Sequence, residues 1–215
     1  QEHNIWLGTD YGISLSRYNS ALQFIPISQI TGTGDGNQFY SLFRDSKGFY
    51  WFGGANGLIR FTDPAGERHD AVWYRMGDKT YPLSHNRIRH IYEDKEQQLW
   101  IATDGSINRY DYATRQFIHY NIVDNTGTYN TNWTYYIFED TAGQLWISTC
   151  LGGIFVVDKR KLMQSTSGQY IAEQNYSVHN GLSGMFINQI IPDNEGNVWV
   201  LLYNNKGIDK INPRT

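Results

Sequence analysis

Aromatic and arginine side chains recur just ahead of four aspartates, each of which precedes a tryptophan by six residues: Asp45, Asp94, Asp140 and Asp193. Seven and five positions before each aspartate, the residue type changes from copy to copy. Aromatic faces cover the apolar side of a sugar ring, while guanidinium and amide groups donate hydrogen bonds to hydroxyls or to a uronate. Together with one tyrosine from a later loop, these positions supply the candidate ligand-binding residues Tyr40, Arg87, Arg89, Trp133, Tyr135, Phe186, Asn188 and Tyr203. The alternative is that these side chains fill a central channel or contact a neighbouring domain.

Catalytic and metal-binding patterns are weaker. The histidines are scattered, and His85 and His90, the one pair at a metal-ligand spacing, read as a rim and a strand residue. In the pairs Glu93–Asp94 and Glu139–Asp140, the aspartate is expected to serve a turn and the glutamate to be solvated. The segment TGTGDG at 31–36 is followed by no helix pattern and lacks most of a calcium-ligand set. The sequence therefore predicts no metal, no cofactor and no enzymatic activity.

A repeated strand unit must position the candidate residues. Five similar segments each carry a tryptophan, and successive tryptophans lie about 50 residues apart, a period typical of β-propellers. The 33 aromatic residues of the chain (16 Tyr, 10 Phe, 7 Trp) and its 21 Gly favour strands joined by turns, and no long stretch has helical periodicity. These tryptophans are expected to fill the gaps between adjacent sheets: Trp6, Trp51, Trp100, Trp146 and Trp199.

The repeat contains two turns with distinct requirements. In the motif Asp-x-x-Gly-x-x-Trp, the aspartate is expected to cap free amides and the glycine to adopt a positive φ. The third copy has Gln97 in the glycine position, which predicts a strained or differently shaped turn. Glycines at the second turn are expected to adopt positive φ between strands: Gly12, Gly57, Gly105, Gly152, Gly153 and Gly207.

The fold class is predicted to be all-β, a β-propeller of four-stranded antiparallel blades. The unit at 86–121 reads as the strands NRIRHIYED, LWIAT, INRYD and QFIHYN, numbered outward from the axis. Strand alternation places the seventh and fifth positions on one face, with the third if no bulge intervenes. Residues 1–215 form one segment, with blades about 37–77, 86–121 and 132–178 between partial blades at 1–30 and 185–215. The segment represents about four to five blades of a larger propeller, expected to have about seven.

Charge and cysteine content exclude some classes of partner. The formal net charge of −3 gives no electrostatic basis for binding nucleic acid or an anionic membrane. The single cysteine, Cys150, reads as a small residue in a hairpin loop and does not define a redox compartment. No apolar run has the length of about 18 residues that a membrane span needs.

The string Asp-x-x-Gly-x-(Leu/Val)-Trp-(Ile/Val) after a strand ending in Glu-Asp resembles the regulator-propeller repeat of hybrid two-component systems. It is clearest in NRIRHIYEDKEQQLWIATDGSINRYD and NWTYYIFEDTAGQLWISTCLGGIFVVD. The resemblance implies a periplasmic sensor domain of an inner-membrane receptor with a histidine kinase, responding to oligosaccharides. The implied partners are the remaining blades, a second propeller of the same chain and a second receptor copy in a homodimer. A weaker similarity to the Asp-box of sialidases differs in spacing and does not imply catalysis.

Two other functions remain open at this stage. The segment could be a protein-interaction or dimerisation scaffold, because propeller surfaces often dock other proteins. A propeller lyase or glycosidase would require histidines and carboxylates clustered at the axis.

Overall fold

The protein is described by a computed structural model. It covers residues 5–9, 12–16, 23–26, 38–62, 70–80, 82–166, 168–203 and 207–213, with side chains from residue 38 onward. The side chain of Trp6 and the segment 31–36 considered above lie outside this described part.

Five antiparallel sheets follow one another along the chain, and within each sheet neighbouring strands come in sequence order. Sheet 1 contains β1 Ile5–Thr9, β2 Gly12–Ser16 and β3 Gln23–Pro26. Sheet 2 contains β4 Phe39–Arg44, β5 Tyr50–Gly54, β6 Gly57–Phe61 and β7 Val72–Tyr74. Sheet 3 contains β8 Ile88–Glu93, β9 Leu99–Thr103, β10 Ser106–Asp111 and β11 Gln116–Tyr120.

The second half of the chain adds two sheets and a short parallel pair. The pair joins β12 Ile122–Val123 to β16 Tyr170–Ile171. Sheet 4 contains β13 Thr134–Glu139, β14 Gln144–Thr149, β15 Ile154–Asp158 and β17 Gln174–Tyr176. Sheet 5 contains β18 Ile187–Pro192, β19 Val198–Leu202 and β20 Ile208–Ile211. First strands of successive sheets contact each other, β4 with β8, β8 with β13 and β13 with β18, as around a propeller axis. The all-β propeller prediction is confirmed.

A short helix interrupts sheet 4 and was not predicted. Helix α1, Lys159–Gln164, begins where the Asp158 carboxylate accepts hydrogen bonds from the backbone of Arg160 and Lys161. A 3₁₀ turn, Val178–Asn180, follows β17. Within the described residues, no helix is both long and apolar enough to cross a membrane.

The apolar core lies between the sheets. Trp51 of sheet 2 packs with Ile88, Leu99 and Tyr110 of sheet 3. Trp100 and Trp146 occupy the corresponding places at the next two interfaces, and all three indoles are at most 1% exposed. Each indole therefore faces the sheet that follows it. Trp199 is 44% exposed.

The first turn of each unit is held by one carboxylate. In Asp94, Oδ1 accepts from the backbone of Glu96 and Gln98 at 2.9 Å each, and Oδ2 accepts from Trp100 Nε1 at 2.9 Å. The same aspartate-to-indole bond recurs at 2.8 to 3.0 Å for Asp45, Asp140 and Asp193. Gln97 adopts φ 61° and keeps the backbone bond to Asp94 O, so the turn has the usual shape with a strained residue in it.

The second turns correct one expectation. Gly57, Gly153 and Gly207 have positive φ as predicted. At 105–106 it is Ser106, with φ 81°, that takes this conformation, and Gly152 lacks the positive φ that was predicted for it. Gly105 is required for another reason, because a Cβ there would lie 2.7 Å from the backbone oxygen of Ser84.

Two glutamates that were expected to be solvated instead join neighbouring sheets, so that prediction was wrong. Glu93 of sheet 3 accepts from Ser46 N at 3.0 Å and Ser46 Oγ at 2.9 Å in the first turn of sheet 2. Glu139 of sheet 4 accepts from Lys95 N of sheet 3 at 2.9 Å. At the same position before Asp193 the chain has Pro192, which has no carboxylate.

A buried lysine strengthens the interface between sheets 3 and 4. Lys159 Nζ lies 3.0 Å from Asp94 Oδ2 and 2.8 Å from Glu139 Oε1, and its side chain is 2% exposed. Burial alone would lower the pKa of Lys159, but its hydrogen bonds to Glu139 and Asp94 outweigh that and raise it. The interface therefore contains a charged ammonium that both sheets share.

Candidate ligand-binding site

One backbone hydrogen bond brings the start of each first strand to the loop between the second and third strands. The carbonyl seven positions before each turn aspartate accepts from that loop. The four bonds are Ala55 N to Gln38 O, Asp104 N to Arg87 O, Cys150 N to Trp133 O and Tyr203 N to Phe186 O, at 2.8 to 3.2 Å. The candidate residues on the strands and Tyr203 from a loop therefore share one edge of the sheets, which we name the rim.

A β-bulge in each first strand directs the fifth-position side chain. The register shifts at Tyr40, Arg89, Tyr135 and Asn188. The third-position residues Ile91, Ile137 and Ile190 are at most 2% exposed. The simple alternation that would have put them on the same face as the fifth position is therefore interrupted.

An arginine–aspartate pair occupies the centre of the rim. Arg89 donates to Asp104 from Nε at 2.8 Å and from Nη2 at 3.3 Å, and Arg87 Nε lies 3.8 Å from the same carboxylate. Burial acts to lower the pKa of Arg89, but the hydrogen bond with Asp104 outweighs it and the pKa is raised. Asp104 is thus paired while Arg87, 46% exposed, still presents a guanidinium to solvent.

Aromatic rings continue from this pair in a row. The Arg89 guanidinium lies 4.6 Å from the centre of the Tyr135 ring and 5.9 Å from that of Tyr40. Tyr135 then meets Phe186 at 5.9 Å, and Phe186 meets Tyr203 at 4.7 Å between ring centres. Among the described contacts, Asn188 takes no part in this row although it occupies the equivalent bulge of β18.

Trp133 has the most unusual backbone of the candidates. Its φ is 54°, a left-handed conformation that is a genuine outlier for a bulky residue. The conformation is fixed from both sides, because Trp133 N donates to Asp104 O at 3.0 Å and Trp133 O accepts from Cys150 N at 2.9 Å. The indole itself is 47% exposed. Strain of this kind accumulates at functional sites, where the surroundings can enforce it.

A cavity of about 360 Å³ opens beside Trp133. Its other walls come from Asp104 and the segment 128–132, notably Tyr129 and Asn130. Gly152 also lines the cavity. It packs so closely against the opposite segment that a Cβ there would lie 2.7 Å from Asn130 O. Sequence reasoning missed 128–132 because this segment belongs to the connection between two repeats, where the repeated motif gives no pattern to compare.

Cys150 precedes the cavity residues Leu151 and Gly152 in the chain; it is buried, and burial raises the pKa of its thiol. A protonated thiol is a poor nucleophile and a poor metal ligand. No group of three or more His, Cys, Asp or Glu in the described part of the chain is placed to hold a metal ion. The site therefore consists of aromatic rings, amides and one carboxylate paired with an arginine, and these groups suit the binding of a ligand.

Two segments of the chain match a known family model. Residues 33–56 and 82–105 match the model of the two component regulator propeller. No curated protein matches the chain.

Several solved structures are similar to this chain. One is the extracellular domain of the hybrid two component system BT4673 from B. thetaiotaomicron, with 99% identity and a TM-score of 0.87. That match covers 100% of this chain and 29% of the matched one, so the chain spans less than a third of its length. The corresponding domain of BT3049 from the same organism is 20% identical with a TM-score of 0.60, covering 82% of this chain and 25% of that one.

Virginiamycin B lyase from Staphylococcus aureus shares the fold at 14% identity and a TM-score of 0.63, covering 99% of this chain and 67% of that one. Identity at this level supports the propeller alone and carries no activity across. The regulator-propeller family is non-catalytic, and the prediction of a non-enzymatic segment agrees with the family and with the near-identical extracellular domains. Residues 33–56 and 82–105 therefore resemble two component regulator propeller repeats, and the whole chain is similar to part of the extracellular domain of a hybrid two component system.

Proposed function

We propose that this chain is part of the sensor of a periplasmic hybrid two-component receptor, and that its rim binds an oligosaccharide produced by polysaccharide breakdown. Binding at the rim would then control a histidine kinase elsewhere in the receptor. The near-identity to the extracellular domain of a hybrid two component system supports the sensor role. The saccharide is inferred from the chemistry of the rim.

The proposal is carried by Trp133, whose indole is half-exposed beside a cavity and whose backbone is held in a strained, left-handed conformation. A large apolar ring held at the surface in a costly backbone conformation is explained if a ligand covers it. Sugar rings have an apolar face that stacks on such an indole and hydroxyls that the neighbouring amides can bind.

The Arg89–Asp104 pair supports the same function by preorganisation. Both oxygens of Asp104 are engaged by Arg89, which fixes the carboxylate that lines the cavity. A fixed carboxylate accepts hydrogen bonds from sugar hydroxyls at little entropic cost.

Titration calorimetry on the full extracellular domain tests the proposal, with neutral and acidic oligosaccharides from disaccharides to octasaccharides as probes. The variant Trp133→Gly removes the indole and suits the left-handed backbone, so a change in binding cannot be attributed to a misfolded turn. We expect it to weaken binding about tenfold, the value of one aromatic contact.

Trp73→Ala is the matched control, because Trp73 lies on β7, the outermost strand of sheet 2. It should bind as the unchanged protein does. Absence of binding across the panel, or equal affinity for the Trp133→Gly protein, contradicts the proposal and favours the scaffold function. Sedimentation that shows saccharide-independent dimers would add to that alternative.

A further inference from the structure

A second, larger cavity adjoins the first. Its volume is about 560 Å³, and it shares Thr128 and Tyr129 with the cavity beside Trp133. Its other walls come from the turn at 124–126, from β17 and from the 3₁₀ turn that carries His179. Both volumes fall in the range of about 300–1,000 Å³ occupied by ligand pockets.

We infer that the rim site continues across Tyr129 into this second cavity, which forms a further subsite for neutral oligosaccharides. The inference rests on the proposed function of the rim, which it extends to a longer ligand of stated charge. Three properties of the described residues support it.

The wall between the cavities is rigid. Tyr129 packs against the core cluster between sheets 3 and 4, and its hydroxyl is 3.2 Å from His179 Nε2. Its backbone N–H donates to Asp124 Oδ1 at 2.8 Å. This half-buried, fixed tyrosine lines both cavities, as a platform between two sugar residues would require.

The turn that forms one wall copies the Asp-x-x-Gly turn of the sheets. Gly127 has φ 72° and donates to Asp124 O, as the glycines of the sheet turns do. Burial raises the pKa of Asp124, but hydrogen bonds from Thr126 and Tyr129 outweigh it and hold the pKa below its ordinary value. Asp124 is therefore ionised at neutral pH. In this copy Asn130 occupies the tryptophan position of the motif, and the turn lines the cavity.

The charge of the two cavities favours a neutral ligand. Among the residues that line them there is no lysine and no arginine, whereas Asp104, Asp124 and Glu173 contribute carboxylates. Asp104 is neutralised by Arg89, and the nearest cation to Glu173 is Lys161 Nζ at 3.4 Å, outside the cavity walls. A uronate in the second cavity would meet like charge, while neutral hydroxyls can donate to carboxylates and accept from the amides of Asn125 and Gln174.

Calorimetry with size-graded oligosaccharides tests the subsite on the full extracellular domain. The probes are neutral glucan, xylan, mannan and galactan fragments from disaccharides to octasaccharides, with oligogalacturonides of matched length as the acidic arm. The double variant Asn125→Ala, Gln174→Ala removes two exposed amides from the second cavity without touching the core. It should lower the affinity of the longer neutral fragments about tenfold and leave that of the disaccharides unchanged.

Asn194→Ala is the matched control, because Asn194 follows Asp193 in the same turn position that Asn125 has after Asp124. It should change neither affinity. If long fragments bind no tighter than short ones, or if the double variant keeps its preference for length, the subsite is refuted while a loss in Trp133→Gly still upholds the rim site. Tighter binding of the oligogalacturonides refutes the neutral class. Unchanged affinity in Trp133→Gly refutes the rim function and the subsite with it.

Discussion

The two ends of the sheets are built on opposite principles. At the turn end, four aspartates make the same bonds to their own turn and their own tryptophan. At the rim, the equivalent positions hold tyrosine, arginine, tryptophan and phenylalanine, and the contacts differ from sheet to sheet. The comparison teaches that identical copies carry stability here, and that the copies differ where a ligand would bind.

At the turn end, the aspartates differ from one another in the additional group that binds each carboxylate. Asp45 Oδ2 accepts from the Tyr112 hydroxyl at 2.7 Å, and Asp94 Oδ2 from Lys159. Burial and this bond to Asp45 raise the pKa of Tyr112, which stays protonated. Asp193 Oδ2 accepts from the neutral side chain of Asn197 at 2.9 Å, and its nearest cation, Lys210, is 4.0 Å away and itself 43% exposed. The same motif should therefore contribute unequally to stability.

The largest effect is expected for Asp94→Ala. It removes the Trp100 bond, two turn bonds and one of the two buried partners of Lys159, leaving that ammonium half-compensated. Breaking a buried ion pair in this way costs about 3–5 kcal/mol of unfolding free energy. Hydrogen exchange of the β8–β11 amides, followed by mass spectrometry, measures the loss locally. Asp193→Ala, which alters the same motif in a solvated setting, should cause a clearly smaller loss, and equal losses would contradict the comparison.

Low pH should weaken the packing interface between β8 and β13, the first strands of sheets 3 and 4. His90 stacks on Tyr136 at 3.8 Å between ring centres, and its Nδ1 accepts from Ile137 N at 3.3 Å, which requires a neutral ring. Burial lowers the pKa of His90 from 6.5 to about 4. Protons therefore bind preferentially to the unfolded chain, and stability present above pH 6.5 is lost as the pH falls toward about 4, by no more than about 3 kcal/mol.

Chemical denaturation at a series of pH values measures that slope. His90→Asn retains an acceptor for Ile137 N without titrating, so its slope in this window should be shallower. An unchanged slope in the variant would assign the acid sensitivity to other groups.

A smaller gain is expected for Gln97→Gly. Gln97 holds a left-handed φ that the other sheet turns assign to glycine, and glycine removes the steric cost while adding some chain entropy on unfolding. The net gain should be about 0.5–1 kcal/mol in unfolding free energy. A thermal unfolding midpoint that stays equal or falls would show that the turn is not strained.

The smallest effect on stability is expected for Trp133→Gly. The change removes the contacts of a half-exposed ring, which destabilises the fold. It also relieves the left-handed backbone strain, which stabilises it, and the two effects should cancel to within about 0.5 kcal/mol. Trp100→Ala, by contrast, empties a fully buried site and should cost about 3–5 kcal/mol. Similar losses at the two tryptophans would remove the distinction between a stability end and a binding end.

The sequence predicts the sheets well, because the signals are local. The spacing of Asp94, Gln97 and Trp100 specifies a hairpin, and the neighbouring alternation specifies its strands. Contacts between repeats were harder to predict from the sequence. Glu139 reaches Lys95 N, 44 residues earlier in the chain, and a glutamate beside a turn carries no sign of that partner. Helix α1 is too short to give a helical period.

At the rim, the sequence predicts which positions vary but does not predict their geometry. The bulges at Tyr40 and Arg89 follow no local pattern, so the sequence left open whether the third position shares the face of the fifth. The loop at 128–132 lies between two repeats, so comparison of the repeated motifs gave it no role. The ligand-binding assignment of the eight candidates remains a prediction.

The bulges have an evolutionary consequence. Arg89 and Tyr135 lie at the bulges, while the third-position residues Ile91 and Ile137 are buried, so the side chain at a bulge can change while the buried isoleucine of the same strand is kept. Successive blades can thus acquire new recognition groups one codon at a time while folding is preserved. An array of such blades therefore has a short mutational route to rims of different surface chemistry.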